Sequence, residues 1–384
     1  MRKKKWILSG IYIMRLFKYL LRPKRNSPKM GKILLFSTTG IGNAILLDGV
    51  IRKFKMIQHD VSISVMASEG GLPIFDRSED IHHVYVLGRG WFNNIRLIFY
   101  AWNERFDITI LAYGEIKIKS TLLSFLLGAR ERVTFYSTYL GSLGQLSLFT
   151  KVLSDNPNLH ETEKNWLLFQ SVFPSLPNID LQEFKPKFPI KSTELSSALK
   201  KAKDQHFLED RVSLGILPGC DKANPGKRWP IESYMNLIIR IKKEFPAIQI
   251  VVFGGSHEEN INPFIETMSS RNLVVNLIGK LSIGQTASIM SFCSYFISND
   301  SALMHIASAL DKPVTAIFGP SNERRSGAIG RDIKIIRSGF DCSSCFYVDN
   351  RIMCVNEYRC IREVTVESVY ASIKGTLKGL AHSS

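Results

Sequence analysis

Three loops in the second half of this 384-residue chain carry residue types suited to holding an anion and a sugar. In Pro218-Gly-Cys-Asp-Lys-Ala-Asn-Pro-Gly-Lys-Arg-Trp-Pro230, the cations Lys227 and Arg228 stand just before a predicted helix that opens at Pro230 or Ile231. Cations beside the unsatisfied amides of a helix start make an anion site. Gly254-Gly-Ser-His-Glu-Glu259 pairs glycines that let a ligand approach the backbone with acids able to hold ribose hydroxyls. In Asn299-Asp-Ser-Ala-Leu-Met-His305, Asp300 or Ser301 suits a helix N-cap, and His305 falls on the first turns after it. A fourth loop, Thr38-Thr-Gly-Ile-Gly-Asn43, sits near the start of the chain. Taken singly, each has a plain alternative: a tight turn, an ordinary cap, a structural histidine.

These loops need strands to carry them. Lys32-Ile-Leu-Leu-Phe-Ser37 is a short apolar run, the signature of a buried parallel strand, and helical periodicity follows from Ala44 to Ile57. Further strands are predicted at Val61–Ala67, His83–Leu87, Asp107–Ala112 and Arg132–Phe135. A second series has strands at Arg211–Leu217, Gln249–Phe253, Leu273–Leu277, Tyr295–Ser298 and Val314–Phe318, with a helix from about Ile231 to Phe245. Pro174, Pro177, Pro186 and Pro189 mark the passage between the series, and Ser192 suits the N-cap of a short helix running to about Phe207. The expected organisation is a tail at 1–30, a Rossmann-like domain at 31–185, a linker at 186–210 and a second Rossmann-like domain at 211–384. The two domains are expected to face each other across a cleft.

With 45% hydrophobic and 22% charged residues, the composition excludes a polytopic membrane protein and a mostly disordered chain. The net charge is +16, but ten Lys/Arg and no acid lie within residues 1–30, and the rest carries only +6. A mildly basic body with no nucleic-acid motif argues against a nucleic-acid partner. Arg15, Lys18 and Arg22 recur at helical spacing opposite Leu16, Phe17, Leu20 and Leu21, and the apolar run Trp6–Met14 is too short to span a bilayer. Residues 1–25 therefore suit an anionic membrane surface, with a solvated tail and an uncleaved signal as the alternatives.

Six cysteines divide in two. Cys220 and Cys293 are isolated and read as buried thiols. Cys342, Cys345, Cys354 and Cys360 cluster in a loop at 342–360; a metal-free thiol loop, a structural zinc site and a disulfide all fit that spacing.

In their order along the chain the motifs resemble the ADP-heptose:lipopolysaccharide heptosyltransferase family, glycosyltransferase family 9. The resemblance covers roughly Gly31 to Ser372. It rests on Lys32-Ile-Leu-Leu-Phe with Gly40-Ile-Gly-Asn43, Phe106-Asp-Ile-Thr-Ile, Leu127-Gly-Ala-Arg130 and His160-Glu-Thr-Glu-Lys-Asn165. In the second half it rests on Lys227-Arg-Trp-Pro230, Gly254-Gly255, Leu277-Ile-Gly-Lys280, Ser298-Asn-Asp-Ser301 with Met304-His305, and Phe318-Gly-Pro320.

The resemblance implies an α/β protein of GT-B fold: an inverting, metal-independent glycosyltransferase without a cofactor. Its donor would be a nucleotide-sugar such as ADP-heptose, and its acceptor a lipid-linked, lipopolysaccharide-type glycan. It would work in the cytoplasm, peripherally on the inner membrane. Carried over by position, Gly40, Gly42, Lys227, Glu258, Asp300, Ser301 and His305 belong to donor binding: Lys227 at the phosphate or ribose, Glu258 at the ribose, Asp300 and Ser301 at the pyrophosphate. One departure stands out. The family's proposed general base is an Asp, and this chain has Asn43, whose neutral amide cannot take a proton at a useful pKa. Either another acid serves, with Asp48 and Glu115 as candidates, or Asn43 only orients the acceptor, or the chain is a non-catalytic nucleotide-sugar or glycan-binding paralogue.

Overall fold

The computed structural model describes residues 31–88, 95–115, 117–220, 224–256, 258, 260–345 and 354–382. The expected membrane tail at 1–30 lies outside the described residues. The chain divides after Phe184 into two compact units.

In the first unit, β1 (Lys32–Ser37), β2 (Ser62–Ala67), β3 (His83–Val86), β4 (Ile108–Leu111), β5 (Glu131–Phe135) and β6 (Lys151–Leu153) form a sheet in the order β3-β2-β1-β4-β5-β6. In the second, β7 (Ser213–Leu217), β8 (Gln249–Val252), β9 (Val275–Asn276), β10 (Cys293–Asn299), β11 (Val314–Ile317) and β12 (Ile333–Ile336) form a sheet in the order β12-β11-β10-β7-β8-β9. Every pairing in both is parallel. Numbered within its unit, each sheet has the doubly wound Rossmann order 3-2-1-4-5-6. The order reverses between β1 and β4 in one unit and between β7 and β10 in the other, and ligands of such sheets collect outside the strand C-termini at that point.

The central strands are buried on both faces, which is why they read as unbroken apolar runs: Ile33 to Phe36 and Leu214 to Leu217 lie within the cores. Leu34, Phe36, Met66, Tyr85, Phe106 and Leu111 build part of the first core; Leu214, Ile216, Trp229, Tyr234, Leu237 and Ile250 build part of the second.

Several boundaries differ from the sequence reading. The first helix begins at Ile41 rather than Ala44, with extended Gly40 as its N-cap, so Gly42 and Asn43 belong to its first turn. The edge strands β6 and β12 have no counterpart in the predicted set; they hold three and four residues and lack a long apolar run. Within the stretch expected as a linker, Ser192–Lys203 is a helix capped by Lys191 rather than Ser192, and it packs on the helix Ile283–Met290 of the second unit. Among the described residues no helix is long and apolar enough to cross a membrane.

One partly buried tie fixes where β1 begins. Asp107 Oδ2 accepts hydrogen bonds from the amides of Gly31 and Lys32, both at 3.1 Å, and the Asp107 amide donates to Lys32 O at 2.9 Å. Asp107→Ala leaves two amides at the start of the central strand without their carboxylate. The variant is expected to lose roughly 1 kcal/mol of stability, read as a lower urea midpoint; an unchanged midpoint would show that the tie is dispensable.

Candidate functional site

In the second unit, the loops after β7, β8 and β10 bring together the residues singled out in sequence. Lys227 Nζ lies 2.7 Å from Asp300 Oδ2, in an ion pair largely shielded from solvent. The helix Ala302–Ala309 starts immediately after this pair with Ser301 as N-cap, and the Ser301 side chain makes no capping hydrogen bond. A helix start left uncapped, beside an ammonium group, is equipped to receive an anion. His305 is buried on the first turn of that helix, and its Nδ1 has no hydrogen-bond partner.

Glu258 is 4% exposed and fills the space above two glycines. A Cβ on Gly219 would lie 1.3 Å from Glu258 Oε1, and one on Gly254 would lie 2.0 Å from Oε2. The Gly255 amide donates to Oε2 at 3.0 Å. The glycines after β7 and β8 thus make room for one carboxylate between the two strand ends.

The residue that sequence reasoning left without a role is Asn299, the last residue of β10 and fully buried. Its Oδ1 accepts from the Trp229 amide at 3.1 Å and from the Tyr234 hydroxyl at 2.9 Å. Its Nδ2 donates to Pro218 O at 2.7 Å and Gly219 O at 3.3 Å. One carboxamide thereby ties the Lys227 loop to the strand that carries Asp300. Its partners stand 65 to 81 positions away, so local sequence carries no signal of this role.

In the first unit, Glu115 is buried after β4 and accepts from Thr38 N (2.6 Å), Thr38 Oγ1 (2.7 Å) and Ser120 Oγ (2.8 Å). Lys117 Nζ donates to Thr38 O at 2.6 Å and to Oγ1 at 2.7 Å. Gly114, at φ +83°, takes a left-handed turn that few other residues adopt, and a Cβ there would lie 3.8 Å from Asn43 Nδ2. Asn43 and Glu115 therefore share one end of the switch point between β1 and β4. Helix Glu161–Val172 braces this end: Asn165 Oδ1 accepts from the Tyr113 amide at 2.8 Å, and buried Lys164 pairs with Asp155 at 2.7 Å and donates to Tyr113 Oη at 3.0 Å.

Asp48 is placed differently. It is buried further along the helix Ile41–Ile57, and Arg52 Nε holds its Oδ2 at 2.6 Å. All six cysteines are free thiols, with Cys220 and Cys293 buried as expected; burial pushes the Cys293 thiol up to about 12. Of the terminal four, Cys345 is exposed and Cys360 buried, and Asn356 and Tyr358 donate to Cys342 Sγ and Cys354 Sγ. Among the described residues no group of three or more His, Cys, Asp or Glu is gathered to hold a metal, so the zinc reading of Cys342, Cys345, Cys354 and Cys360 gains no cluster there.

Against known proteins, residues 100–355 match the family described as glycosyltransferase family 9 (heptosyltransferase). Lipooligosaccharide heptosyltransferase 2 of Haemophilus influenzae is 25% identical over 316 residues, spanning 79% of this chain and 88% of that protein. Among solved structures, Escherichia coli ADP-heptose LPS heptosyltransferase II superposes with a TM-score of 0.72 at 20% identity, covering 91% of this chain and 99% of that one. A family 9 glycosyl transferase from Veillonella parvula superposes with a TM-score of 0.73 at 18% identity, covering 92% and 100%. At these identities the two superpositions establish a shared fold.

Burial lowers the pKa of His305 to about 4; Asp300 nearby works against that shift and Lys227 adds to it. The imidazole is therefore neutral at pH 7. Between about 4 and 6.5 the unfolded chain binds a proton that the folded chain does not, so this group's contribution to stability falls as pH drops through that window and is constant above it. His305→Gln should show a smaller loss of melting temperature between pH 7 and pH 5 than the parent; parallel losses would contradict the neutral, buried assignment.

Proposed function

Because the chain belongs to glycosyltransferase family 9, the heptosyltransferases, and is on that ground a glycosyltransferase, we propose that it moves a heptose from ADP-heptose to a lipopolysaccharide-type acceptor with inversion at the anomeric carbon. The observation that carries this reading is the Lys227–Asp300 pair at the uncapped helix start beside the switch point of the second sheet. An acceptor hydroxyl attacks the anomeric carbon from the face opposite the diphosphate. The new C–O bond forms as the bond from sugar to phosphate breaks, and the nucleoside diphosphate leaves with the electron pair. Lys227 and the helix-start amides meet the charge that develops on it. No cofactor or metal enters this reading, and Glu258 takes the ribose.

The acceptor side of this reading is in the first unit, through Asn43 and Glu115. Of the two candidate acids, Glu115 is the one beside Asn43, while Asp48 is committed to Arg52. A carboxylate accepts about four hydrogen bonds. With three in place, Glu115 retains capacity for the acceptor's proton, and Asn43 orients the hydroxyl. Residues 1–25 hold the protein against the anionic cytoplasmic face of the inner membrane, where a lipid-linked acceptor lies.

Lys227→Ala should weaken ADP binding in calorimetry by at least about tenfold. Asp300→Ala should weaken it less, because Asp300 orients Lys227 rather than meeting the anion; unchanged affinity in both would sink the donor-site assignment.

A second reading, a nucleotide-binding paralogue without turnover, is favoured by Asn43 together with the engagement of both candidate acids. Glu115→Gln should lower kcat by about 10²-fold or more with ADP affinity retained. A parent that binds ADP without turnover, and gains turnover on Asn43→Asp, would establish the second reading instead.

A further inference from the structure

Helix Ile95–Asn103 of the first unit buries one apolar side and carries aromatic residues on the other, where Arg96 and Asn103 fall in the same arc. Leu97, Ile98 and Ala101 pack into the core with Leu34, Phe36 and Phe106. On the other side Phe99 is 57% exposed, Tyr100 65% and Trp102 49%. At 100° per residue these three fall within an arc of about 160°. The Phe99 and Trp102 rings lie with centroids 6.4 Å apart, and exposed Tyr100 follows on the same side. An exposed cluster of large aromatic rings normally marks an interaction surface.

Two observations say what covers this one. The helix ends where the basic segment enters the fold. Lys32 Nζ binds Glu104 Oε2 at 2.8 Å, and Asp107 holds the amides of Gly31 and Lys32, so the residues that follow a sequence of ten cations and no acid are held at the end of this helix. The charge around the patch matches that segment: Arg105 is exposed, and the acid Glu104 is already paired with Lys32. Phe, Tyr and Trp beside cations is the composition that settles at the headgroup level of a bilayer, where rings bury their apolar bodies and cations meet anionic lipids.

We propose that the Phe99–Tyr100–Trp102 face is a second membrane contact, which inserts into the interfacial layer of an anionic bilayer beside the attachment point of the basic segment. This deepens the membrane placement given under the proposed function and rests on it. Two weak contacts carried by one chain bind far more tightly than either alone, because the second engages at high effective concentration.

The test uses the full chain and vesicles of phosphatidylcholine with or without phosphatidylglycerol, with bound protein measured by sedimentation. The combined variant Phe99→Ser, Tyr100→Ser, Trp102→Ser should bind phosphatidylglycerol vesicles about tenfold less tightly, and the deficit should persist in high salt because the contact is apolar. Trp102→Phe, which keeps a ring, should bind like the parent. The melting temperature should hold, since the replaced side chains are exposed. Equal binding of parent and combined variant overturns the proposal. So does a parent that is dimeric by light scattering and a variant that is monomeric, because the patch is then a contact between copies. Solvent protection of residues 95–103 in vesicle-free parent that disappears on deleting 1–25 overturns it too, because the tail then covers the patch. Deleting 1–25 also separates the two membrane readings. If deletion leaves binding unchanged while the combined variant weakens it, the tail anchor fails and the aromatic contact stands.

Discussion

The carboxamide of Asn299 answers a problem set by the parallel sheet itself. Strand C-termini at a switch point diverge, and the loops that leave them run in opposite directions, so nothing in the ladder of β7 and β10 fixes the distance between the loops. Asn299 fixes it from a fully buried position, accepting from Trp229 and Tyr234 and donating to the carbonyls of Pro218 and Gly219. A buried network with every member satisfied is stiff, because each broken bond leaves a polar group without water. The 2.7 Å approach of Lys227 to Asp300 depends on that stiffness, since the lysine sits two residues before Trp229 and the aspartate one residue after Asn299. The seat of Glu258 depends on it as well, because Gly219 is held by the same carboxamide.

How much of this was legible in the sequence follows from what each feature needs. Central strands need only an apolar run buried on both faces, and Lys32–Ser37, Ser213–Leu217 and Val314–Ile317 were readable on that basis. The edge strands β6 and β12 draw their definition from a neighbour rather than from their own three or four residues, and so escaped notice. The start of the first helix was misread because Gly42 has poor helix propensity; the surrounding fold overrides it, and Asn43 thereby moves from a loop into a helical turn. The candidate residues of the donor side could be listed from motif types, but their pairing could not. Lys227 and Asp300 are joined by the strand order, and the glycines on either side of Glu258 have meaning only once β7 and β8 are neighbours.

The two units repeat one topology with different chemistry at the same place. At the first switch point a carboxylate is enclosed by hydroxyls and an amide, with a neutral carboxamide next to it. At the second a cation and a helix start predominate. A fold that places loops reliably leaves their side chains free to diverge, so the same topology holds an enclosed acid at one site and a cation at the other.

The Lys227–Asp300 pair also has a bearing on selectivity. An unpaired lysine in a shielded pocket would gather any passing anion, inorganic phosphate included. Here the ammonium already has a carboxylate at 2.7 Å, so the resting site is electrically close to neutral. The same carboxylate aims the ammonium at the helix start, so an arriving anion meets an oriented cation. A diphosphate, able to engage the ammonium and the helix-start amides at once, gains enough to share the lysine. In the proposed donor site the aspartate thus favours an anion long enough to reach both the ammonium and the helix start over a small one.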